Sequence, residues 1–515
     1  MAQRALQLSK WTGPIALCAV VGPILAALIA VGATAEGKLQ LGPGDWAAIQ
    51  FTLVQSFLSA AFSVALAIPA ARALARRRFR GRSALITLMG APFILPVIVA
   101  VFGLLTVFGR AGWISSIFGT MGMEPVSIYG LHGVVIAHVF FNLPLAVRLI
   151  LQGWNDIPAE RFRTAALLDF GPNAVFRVIE WPMLRKAVPG AFALIFAICL
   201  TSFAVALTLG GGPRATTIEL AIYQAFRFDF DLGRAALLSI YQLGIAGCAA
   251  AIALLLIPLS FAEGGLNRPV QRWDTTPAWV DYVWLGLATA FLIVPLSAIV
   301  LSGLAGLPDV PVSVWRSAAA SLYVAFVSVV ILTILVLPLA AWMGSRKRSG
   351  IEATSLLGLA ASPLMIGTGW FILINPVINP QTVALPVTAF VNALMALPFA
   401  IRMLAPAVRS AIADHGQLAQ SLNLPPVVIW RYVLWPRLRA PLGFSLGLAA
   451  ALSVGDLGVI ALFADPDRAT LPLQMYRLMG AYRVDAAAGA ALILLALAFT
   501  LFLLFDRWGR ANADS

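Results

Sequence analysis

The chain has 515 residues, of which 61% are hydrophobic and only 11% are charged, and its mean hydropathy is +0.91. Soluble domains are about 45–50% apolar and about 25% charged, so these values exclude a water-soluble fold, which could not bury this much apolar surface. The formal net charge of +13 does not require a nucleic-acid partner, because membrane proteins carry an excess of Lys and Arg in their cytosolic loops.

Apolar runs recur along the whole sequence. A helix needs about 20 apolar residues to cross a bilayer. Twelve runs approach this length, at residues 15–32, 50–71, 84–106, 130–152, 187–209, 236–260, 281–303, 318–343, 352–374, 384–406, 441–463 and 484–506. Backbone groups in hydrocarbon must be hydrogen-bonded within their own segment, so each run is predicted to be helical. The sequence therefore predicts an all-α polytopic membrane protein with about twelve transmembrane helices.

The basic residues predict an orientation for these helices. If both termini are cytosolic, 26 of the 35 Lys and Arg residues lie on the cytosolic side. The opposite orientation inverts this ratio and violates the positive-inside rule. We therefore predict a multi-pass protein of the bacterial inner membrane, in contact with lipid, with both termini in the cytosol.

The sequence also predicts an internal repeat. Residues 261–280 are polar, contain Gly and Pro, and separate six predicted spans from six. A constant shift of 254 positions matches Trp181-Pro182 to Trp435-Pro436 and continues through the neighbouring segments. We predict two homologous six-helix units, residues 1–260 and 281–515, joined by a cytosolic linker. Both units have an even number of spans, so they insert in the same direction, and a pathway is expected at their interface.

Two predicted cytosolic loops carry the most informative pattern. Residues 156–190 and 413–443 each follow a span and contain a Trp-Pro pair with basic residues shortly before the next span. Each loop has a short stretch of helix formers, then Gly, Asn or Pro breakers, and then a second amphipathic stretch. This order predicts a helix–turn–helix that lies on the inner membrane surface.

The pattern resembles the EAA loop of permeases in ABC importers, in which a Glu-Ala-Ala stretch precedes a Gly and the short helix docks in a groove of the ATPase subunit. This sequence departs from that pattern: the Glu-Ala-Ala positions hold Arg163-Thr164-Ala165 and Gln417-Leu418-Ala419, and the usual Gly positions hold Asp169 and Asn423. A one-residue slide recovers Ala165-Ala166 in the first loop.

The resemblance implies that both loops couple the chain to a cytosolic ATPase. The implied coupling residues are Arg163, Thr164, Ala165, Ala166, Asp169 and Gly171 in the first loop and Gln417, Leu418, Ala419 and Asn423 in the second. Trp181, Pro182, Trp435 and Pro436 are predicted to anchor the loops at the membrane surface, since Trp favours that interface.

Four further stretches resemble the thiamine permeases: LPVIVAVFGLLTVFGRAGW (95–113), AHVFFNLPLAVRL (137–149), EWP (180–182) and GGGPRATTIELAIYQAF (210–226). This resemblance implies a fused type I ABC importer permease that carries thiamine or its phosphate esters. It also implies a separate cytosolic ATPase dimer and an outer thiamine-binding protein. Fused iron(III) permeases share this architecture, so a permease for iron(III) or another small solute remains an alternative.

The chain is predicted to have no ATPase site and no cofactor of its own. None of its lysines is followed by Ser or Thr, so the phosphate-binding sequence GxxxxGK[ST] does not occur. ATP and Mg²⁺ are therefore expected on the partner ATPase. The three Cys and three His residues show no metal-ligand spacing, so no metal site is predicted, and no nucleophile–base cluster indicates an enzyme.

Three residues are predicted to lie along the substrate pathway. Asp456 is an acidic residue well inside an apolar run, and Phe203 and Trp370 are aromatic residues suited to weak contacts with a cation. Two interpretations of Asp456 stay open: its charge guides a cationic substrate, or its side chain satisfies backbone groups at the break between Gly455 and Gly458. An ion-coupled carrier is the less favoured alternative, because such carriers usually place pairs of ionisable groups at mid-membrane.

Overall fold

The structure is a computed structural model that describes residues 9–35, 40–210, 212, 215–256, 278–344, 362–463 and 468–511. All regular secondary structure in these residues is helical, and eleven helical segments among them are long and apolar enough to cross a membrane. One of these segments, Val97–Thr120, consists of two successive short helices. The helices before residue 257 are called the first half below, and those after residue 277 the second half. The predicted linker 261–280 lies almost entirely outside the described residues, and a helix already begins at Ala278.

The first half contains twelve helices in its described residues, several of them short. They are α1 (Ser9–Ala35), α2 (Pro43–Arg76), α3 (Arg82–Leu88), α4 (Val97–Phe108), α5 (Trp113–Thr120), α6 (Leu131–Asn155), α7 (Ala159–Leu167), α8 (Pro172–Val175), α9 (Trp181–Leu200), α10 (Ala204–Leu209), α11 (Ile218–Arg227) and α12 (Leu232–Leu256).

The second half repeats this order with fewer short helices in its described residues. They are α13 (Ala278–Gly306), α14 (Val312–Gly344), α15 (Pro363–Ile374), α16 (Ala384–Ser421), α17 (Pro426–Ile429), α18 (Trp435–Val454), α19 (Gly458–Phe463), α20 (Leu471–Gly480) and α21 (Val484–Arg510). Short 3₁₀ turns occupy Ala91–Phe93, Leu307–Asp309 and Pro380–Val383, and π-turns occupy Phe176–Glu180 and Trp430–Leu434.

The predicted spans match these helices except at the third and fifth spans of each half; each fifth span is divided by a short break, after Leu200 and after Val454. The predicted span 84–106 is divided into α3, a 3₁₀ turn and α4, because proline cannot donate an N–H within a helix and Pro92 and Pro96 lie at the division. Of the predicted span 352–374, the structure describes α15, which at 12 residues is too short to cross a bilayer alone. The remainder of that span lies outside the described residues.

The first helix of each half packs against the other half. Helix α1 contacts α14 and α15 of the second half, and α13 contacts α2 and α4 of the first. Each also contacts the last helix of its own half, α12 and α21 respectively. Small residues permit these crossings: a Cβ on Gly369 of α15 would stand 2.5 Å from the Ala27 carbonyl oxygen, and one on Gly103 of α4 would stand 2.7 Å from the Pro295 carbonyl oxygen. The exchange of first helices ties the two halves together.

A buried ion pair reinforces this junction at the predicted cytosolic end. Arg77 Nε donates to Asp281 Oδ2 at 2.7 Å, and Arg76 Nη1 lies 3.7 Å from Asp281 Oδ1. The Arg77 guanidinium also lies over the ring of Tyr282, 5.9 Å from its centre. The pair joins the end of α2 to the start of α13, so it fixes one half against the other.

Candidate functional site

The first coupling loop contains a separate short helix. Helix α6 ends at Asn155 and α7 begins at Ala159, because Pro158 between them disfavours helical conformation in the residue that precedes it. Phe162 and Ala165 of α7 face inward, with 2% and 3% of their surfaces exposed. The predicted coupling residues Arg163, Thr164 and Ala166 are exposed, as is Leu167. Helix α7 thus presents a mixed polar and apolar surface away from the membrane helices.

The second coupling loop differs from the prediction. Helix α16 runs from Ala384 to Ser421 without a break, so its coupling segment is the continuation of the transmembrane helix and no separate first helix exists. Ile412 occupies the position that corresponds to Pro158, so nothing interrupts the helix there. Gln417 and Leu418 are exposed, whereas Ala419 is buried like its counterpart Ala165.

Both coupling segments end in a left-handed residue at the position where the EAA pattern has Gly. Asp169 has φ 52° and Asn423 has φ 49°. The next residue closes the helix end in each case: Phe170 N–H donates to the Ala165 carbonyl at 2.9 Å, and Leu424 N–H donates to the Ala419 carbonyl at 3.0 Å. This is the Schellman arrangement, in which Gly is favoured and Asn or Asp are the usual substitutes. The departure from the pattern therefore preserves its backbone geometry.

Valine at Asp169 is expected to open this helix end. A β-branched residue with positive φ costs about 1–2 kcal/mol, so hydrogen exchange of the amides around 168–170 should accelerate by about tenfold. Asp169→Gly should keep the slow exchange. Gly171→Ala is the matched control, since Gly171 has φ −69° and no atom would contact its added Cβ. Hydrogen–deuterium exchange of the purified protein measures all three variants, and unchanged exchange in Asp169→Val contradicts the assignment.

The second short helix of each loop, α8 or α17, leads directly into the next span. A π-turn at Phe176–Glu180 connects α8 to α9, and a second π-turn at Trp430–Leu434 connects α17 to α18. The cause is the proline at the second position of each following helix, Pro182 and Pro436, whose missing N–H and ring shift the hydrogen bonds to wider spacing.

The predicted anchor residues lie at this junction. Trp181 is 43% exposed and the Arg185 guanidinium lies 5.1 Å from its ring centre. Trp435 is half-buried and packs edge-on against Trp508 of α21, with ring centres 6.3 Å apart. The two tryptophans therefore have different surroundings, although they occupy equivalent positions. Their role as membrane anchors stays a prediction.

A fully buried carboxylate holds the first loop in place. Glu180 is 0% exposed; it accepts a hydrogen bond from Arg72 Nε at 2.7 Å and another from Trp154 Nε1 at 3.3 Å. The Arg72 guanidinium also lies 5.0 Å from the ring centre of Phe176. Glu180 thereby ties the π-turn to the ends of α2 and α6, a role that sequence analysis missed.

The second loop is held in place by different contacts. Leu434 replaces Glu180 at the equivalent position, and an exposed ion pair joins Arg437 Nη1 to Asp414 Oδ2 at 2.6 Å. An exposed pair contributes at most about 1 kcal/mol. The first loop is therefore held by a buried polar cluster and the second mainly by helix continuity.

Asp456 lies in a break of the fifth span, as its Gly neighbours suggested. Helix α18 ends at Val454 and α19 begins at Gly458, and Asp456 Oδ1 accepts a hydrogen bond from the Gly458 N–H at 3.2 Å. This contact supports the structural interpretation for one oxygen. The other oxygen, Oδ2, is enclosed and has no hydrogen-bond partner within the described part of the chain. The Val459 N–H and the Asn392 side chain also face the carboxylate.

The two aromatic candidates lie apart along the chain and pack within their own halves. Phe203 occupies the equivalent break of the first half, between α9 and α10, and its ring centre is 5.2 Å from that of Tyr223. Trp370 of α15 packs edge-on against Phe390 of α16 at 5.8 Å. Phe203 and Asp456 therefore lie in corresponding breaks of the two halves, although the exact counterpart of Asp456 is Ser202.

A further buried acid, Glu219 on α11, was missed by the sequence analysis. It is 1% exposed, and neither carboxylate oxygen has a hydrogen-bond partner among the described residues. The polar side chains that face it are Ser362 and Gln242. Sequence analysis overlooked it because an acid in the first turn of a helix is common and stabilises the helix dipole.

No group of three or more His, Cys, Asp or Glu in the described residues is arranged to hold a metal ion.

No family model matches the chain. It is 38% identical over 512 residues to the thiamine transport system permease protein of Brucella abortus (strain 2308), covering 96% of this chain and 93% of that protein. It is 41% identical over 488 residues to the protein of the same description from Escherichia coli (strain K12), covering 91% and 90%.

A shorter permease matches part of the chain. The molybdenum transport system permease protein of Azotobacter vinelandii is 29% identical over 184 residues, which cover 81% of that protein but only 36% of this chain. Most of that permease therefore corresponds to about a third of this chain. This supports the fusion of two permease units in one polypeptide.

Proposed function

The chain belongs to the family of thiamine transport system permeases, and we propose that it is the membrane-spanning subunit of an ABC importer that carries thiamine or its phosphate esters into the cytosol. The observation that supports this most is similarity along nearly the whole chain, 38% identity over 96% of its length. The helical architecture agrees with it, since eleven described helices are long and apolar enough to span a membrane.

We propose that energy comes from a separate ATPase dimer, which binds ATP and Mg²⁺. The chain has no phosphate-binding loop of its own. Its coupling segments, α7 and the end of α16, present exposed side chains at equivalent positions, among them Arg163 and Gln417. These surfaces suit the docking of two copies of one protein at two related but unequal sites. An outer thiamine-binding protein is proposed to deliver the substrate.

We further propose that residues 1–260 and 281–515 are the two permease units and 261–280 the cytosolic linker, in the bacterial inner membrane with both termini cytosolic. The repeated π-turns, the repeated left-handed residues Asp169 and Asn423 and the repeated breaks in the fifth spans support the division. The basic residues support the orientation.

Uptake by the complete complex tests the proposal. The permease, its ATPase and its binding protein, reconstituted in proteoliposomes, are expected to accumulate labelled thiamine only when ATP is present with the ATPase. Labelled iron(III) in the same vesicles serves as the comparison substrate. Accumulation of iron(III) without accumulation of thiamine would overturn the substrate assignment and leave the ABC mechanism standing.

A further inference from the structure

The helix that carries Glu219 lies where the two halves meet. Helix α11 contacts α2 and α12 of its own half and α15 and α19 of the other. Its first turn is fixed, since the Ile218 N–H donates to Thr52 Oγ at 2.9 Å and the Leu220 N–H donates to Thr217 Oγ at 3.3 Å. The position of Glu219 between the halves is therefore set by the backbone and does not depend on a flexible loop.

The surroundings of Glu219 are polar but leave its charge unbalanced. Gln242 of α12 is fully buried; its Nε2 donates to the Leu200 carbonyl at 2.8 Å, and its Oε1 has no partner within the described residues. Ser362 Oγ accepts from the Leu364 and Met365 N–H groups at 3.2 and 3.4 Å, so its own proton is free to be donated. A buried carboxylate without a cation is costly, so this site calls for a cation or a proton.

A second acid, Asp456 of the opposite half, lies near the start of the same helix. Ser362 and Pro363 form the start of α15. A Cβ on Gly458 would stand 3.8 Å from Pro363 Cβ and 3.5 Å from Asp456 Oδ1. Asp456 therefore lies near the start of α15, as Glu219 does, and each acid has at least one enclosed oxygen without a hydrogen bond of good geometry among the described residues.

Aromatic residues lie on the same face of α11 as Glu219. Tyr223 is four residues further on, so it shares a face with Glu219, and its ring contacts Phe203. Phe226, another three residues on, packs edge-on against Phe371 of α15 with ring centres 4.5 Å apart. Ring faces attract cations by about 0.5–2 kcal/mol, so they complement the two carboxylates. The cationic side chains of Arg227 and Arg477 also lie near the Tyr223 ring.

We propose that Glu219 and Asp456 form a binding site for an organic cation at the first turn of α15, on the path between the two halves. This inference rests on the proposed function, because thiamine carries a permanent positive charge on its thiazolium ring. The positive end of the α15 dipole offsets part of the cost of the two buried charges. The site is asymmetric, since Ser202 takes the place of Asp456 in the first half.

Substitution of the charge alone tests the site in the reconstituted complex. Glu219→Gln keeps the shape and removes the charge, so ATP-driven thiamine uptake should fall by at least about tenfold, while ATPase activity stimulated by the loaded binding protein persists. Glu219→Asp should recover part of the uptake. Asp456→Asn should also lower uptake. Glu124→Gln, at an exposed position, is the matched control and should transport normally.

A measurement on the wild-type complex keeps the test independent of variant folding. An apolar carbodiimide modifies buried carboxyl groups, and thiamine should slow its reaction with Glu219 if the cation binds there. Wild-type uptake in a well-assembled Glu219→Gln complex, or carbodiimide reaction unaffected by thiamine, overturns the site; Glu219 is then a protonated contact between the halves. A wild-type complex that does not accumulate thiamine overturns the proposed function, and this inference fails with it.

Discussion

Glutamate in place of Leu168 or Leu422 is expected to release the ATPase from the permease and to abolish ATP-driven uptake. The two leucines occupy equivalent positions and are 62% and 60% exposed on the coupling surfaces. Burial of a Leu side chain in a partner contributes about 1.5–3 kcal/mol, and burial of an unpaired carboxylate costs more than that gain. Each substitution should therefore weaken association by at least about tenfold.

Co-purification of the ATPase with tagged permease measures this effect. Val377→Glu is the matched control, because Val377 is 79% exposed but follows α15 on the predicted outer side. It should retain the ATPase. If Leu168→Glu and Leu422→Glu also retain it and transport normally, the two coupling surfaces are wrongly assigned.

The two surfaces should transmit movement unequally. In the second half, the coupling segment and the transmembrane helix form one continuous helix, α16. A displacement at Leu422, directly after its end, should therefore move the whole helix. In the first half, α7 is a separate helix, so we expect its movement to reach α2 and α6 less directly, through the part of the loop that Glu180 holds.

Most of the helices were predictable because lipid imposes a simple rule. Apolar runs of about 20 residues must be helical in hydrocarbon, and the structure contains helices at all of the predicted runs that it describes. The continuity of helix α16 could also have been predicted, because Ile412 stands where the first loop has Pro158. The prediction of a separate helix in the second loop was wrong because it assumed that the second loop repeats the first.

The exchange of first helices was not predictable. Helices α1 and α13 are apolar on every side, so the pattern of their residues does not indicate which neighbour they contact. Only the glycines at the crossings, such as Gly103 and Gly369, carry that information, and glycine in a membrane helix has several ordinary roles.

Only one of the two acidic residues of the candidate site was predictable from the sequence. Asp456 attracts notice because it interrupts an apolar run, whereas Glu219 lies in a short segment that resembles an ordinary outer loop helix. What distinguishes Glu219 is that residues from α12 and α15, distant in sequence, enclose it. That enclosure is a property of the tertiary fold.

Valine at Gly369 is expected to prevent α1 from docking on the second half and to leave little folded permease. A Cβ there would stand 2.5 Å from the Ala27 carbonyl oxygen and 2.7 Å from Ala27 Cα, so the clash is with backbone and no side-chain rotation relieves it. Overpacking costs about 1–3 kcal/mol even where side chains can adjust, and a helix crossing without that freedom should lose at least as much. Gly103→Val should act likewise, since its Cβ would meet Ile299 and the Pro295 carbonyl of α13.

The measurement is the yield and melting temperature of the detergent-solubilised permease. Gly22→Val is the matched control: Gly22 lies on α1 itself, and no atom lies within 4 Å of its added Cβ. It introduces the same side chain and the same change in helix propensity without a clash, so any difference from Gly369→Val comes from the crossing. Equal melting temperatures for the two variants would contradict the exchanged packing, because α1 would then have room to shift away from α15 at no cost.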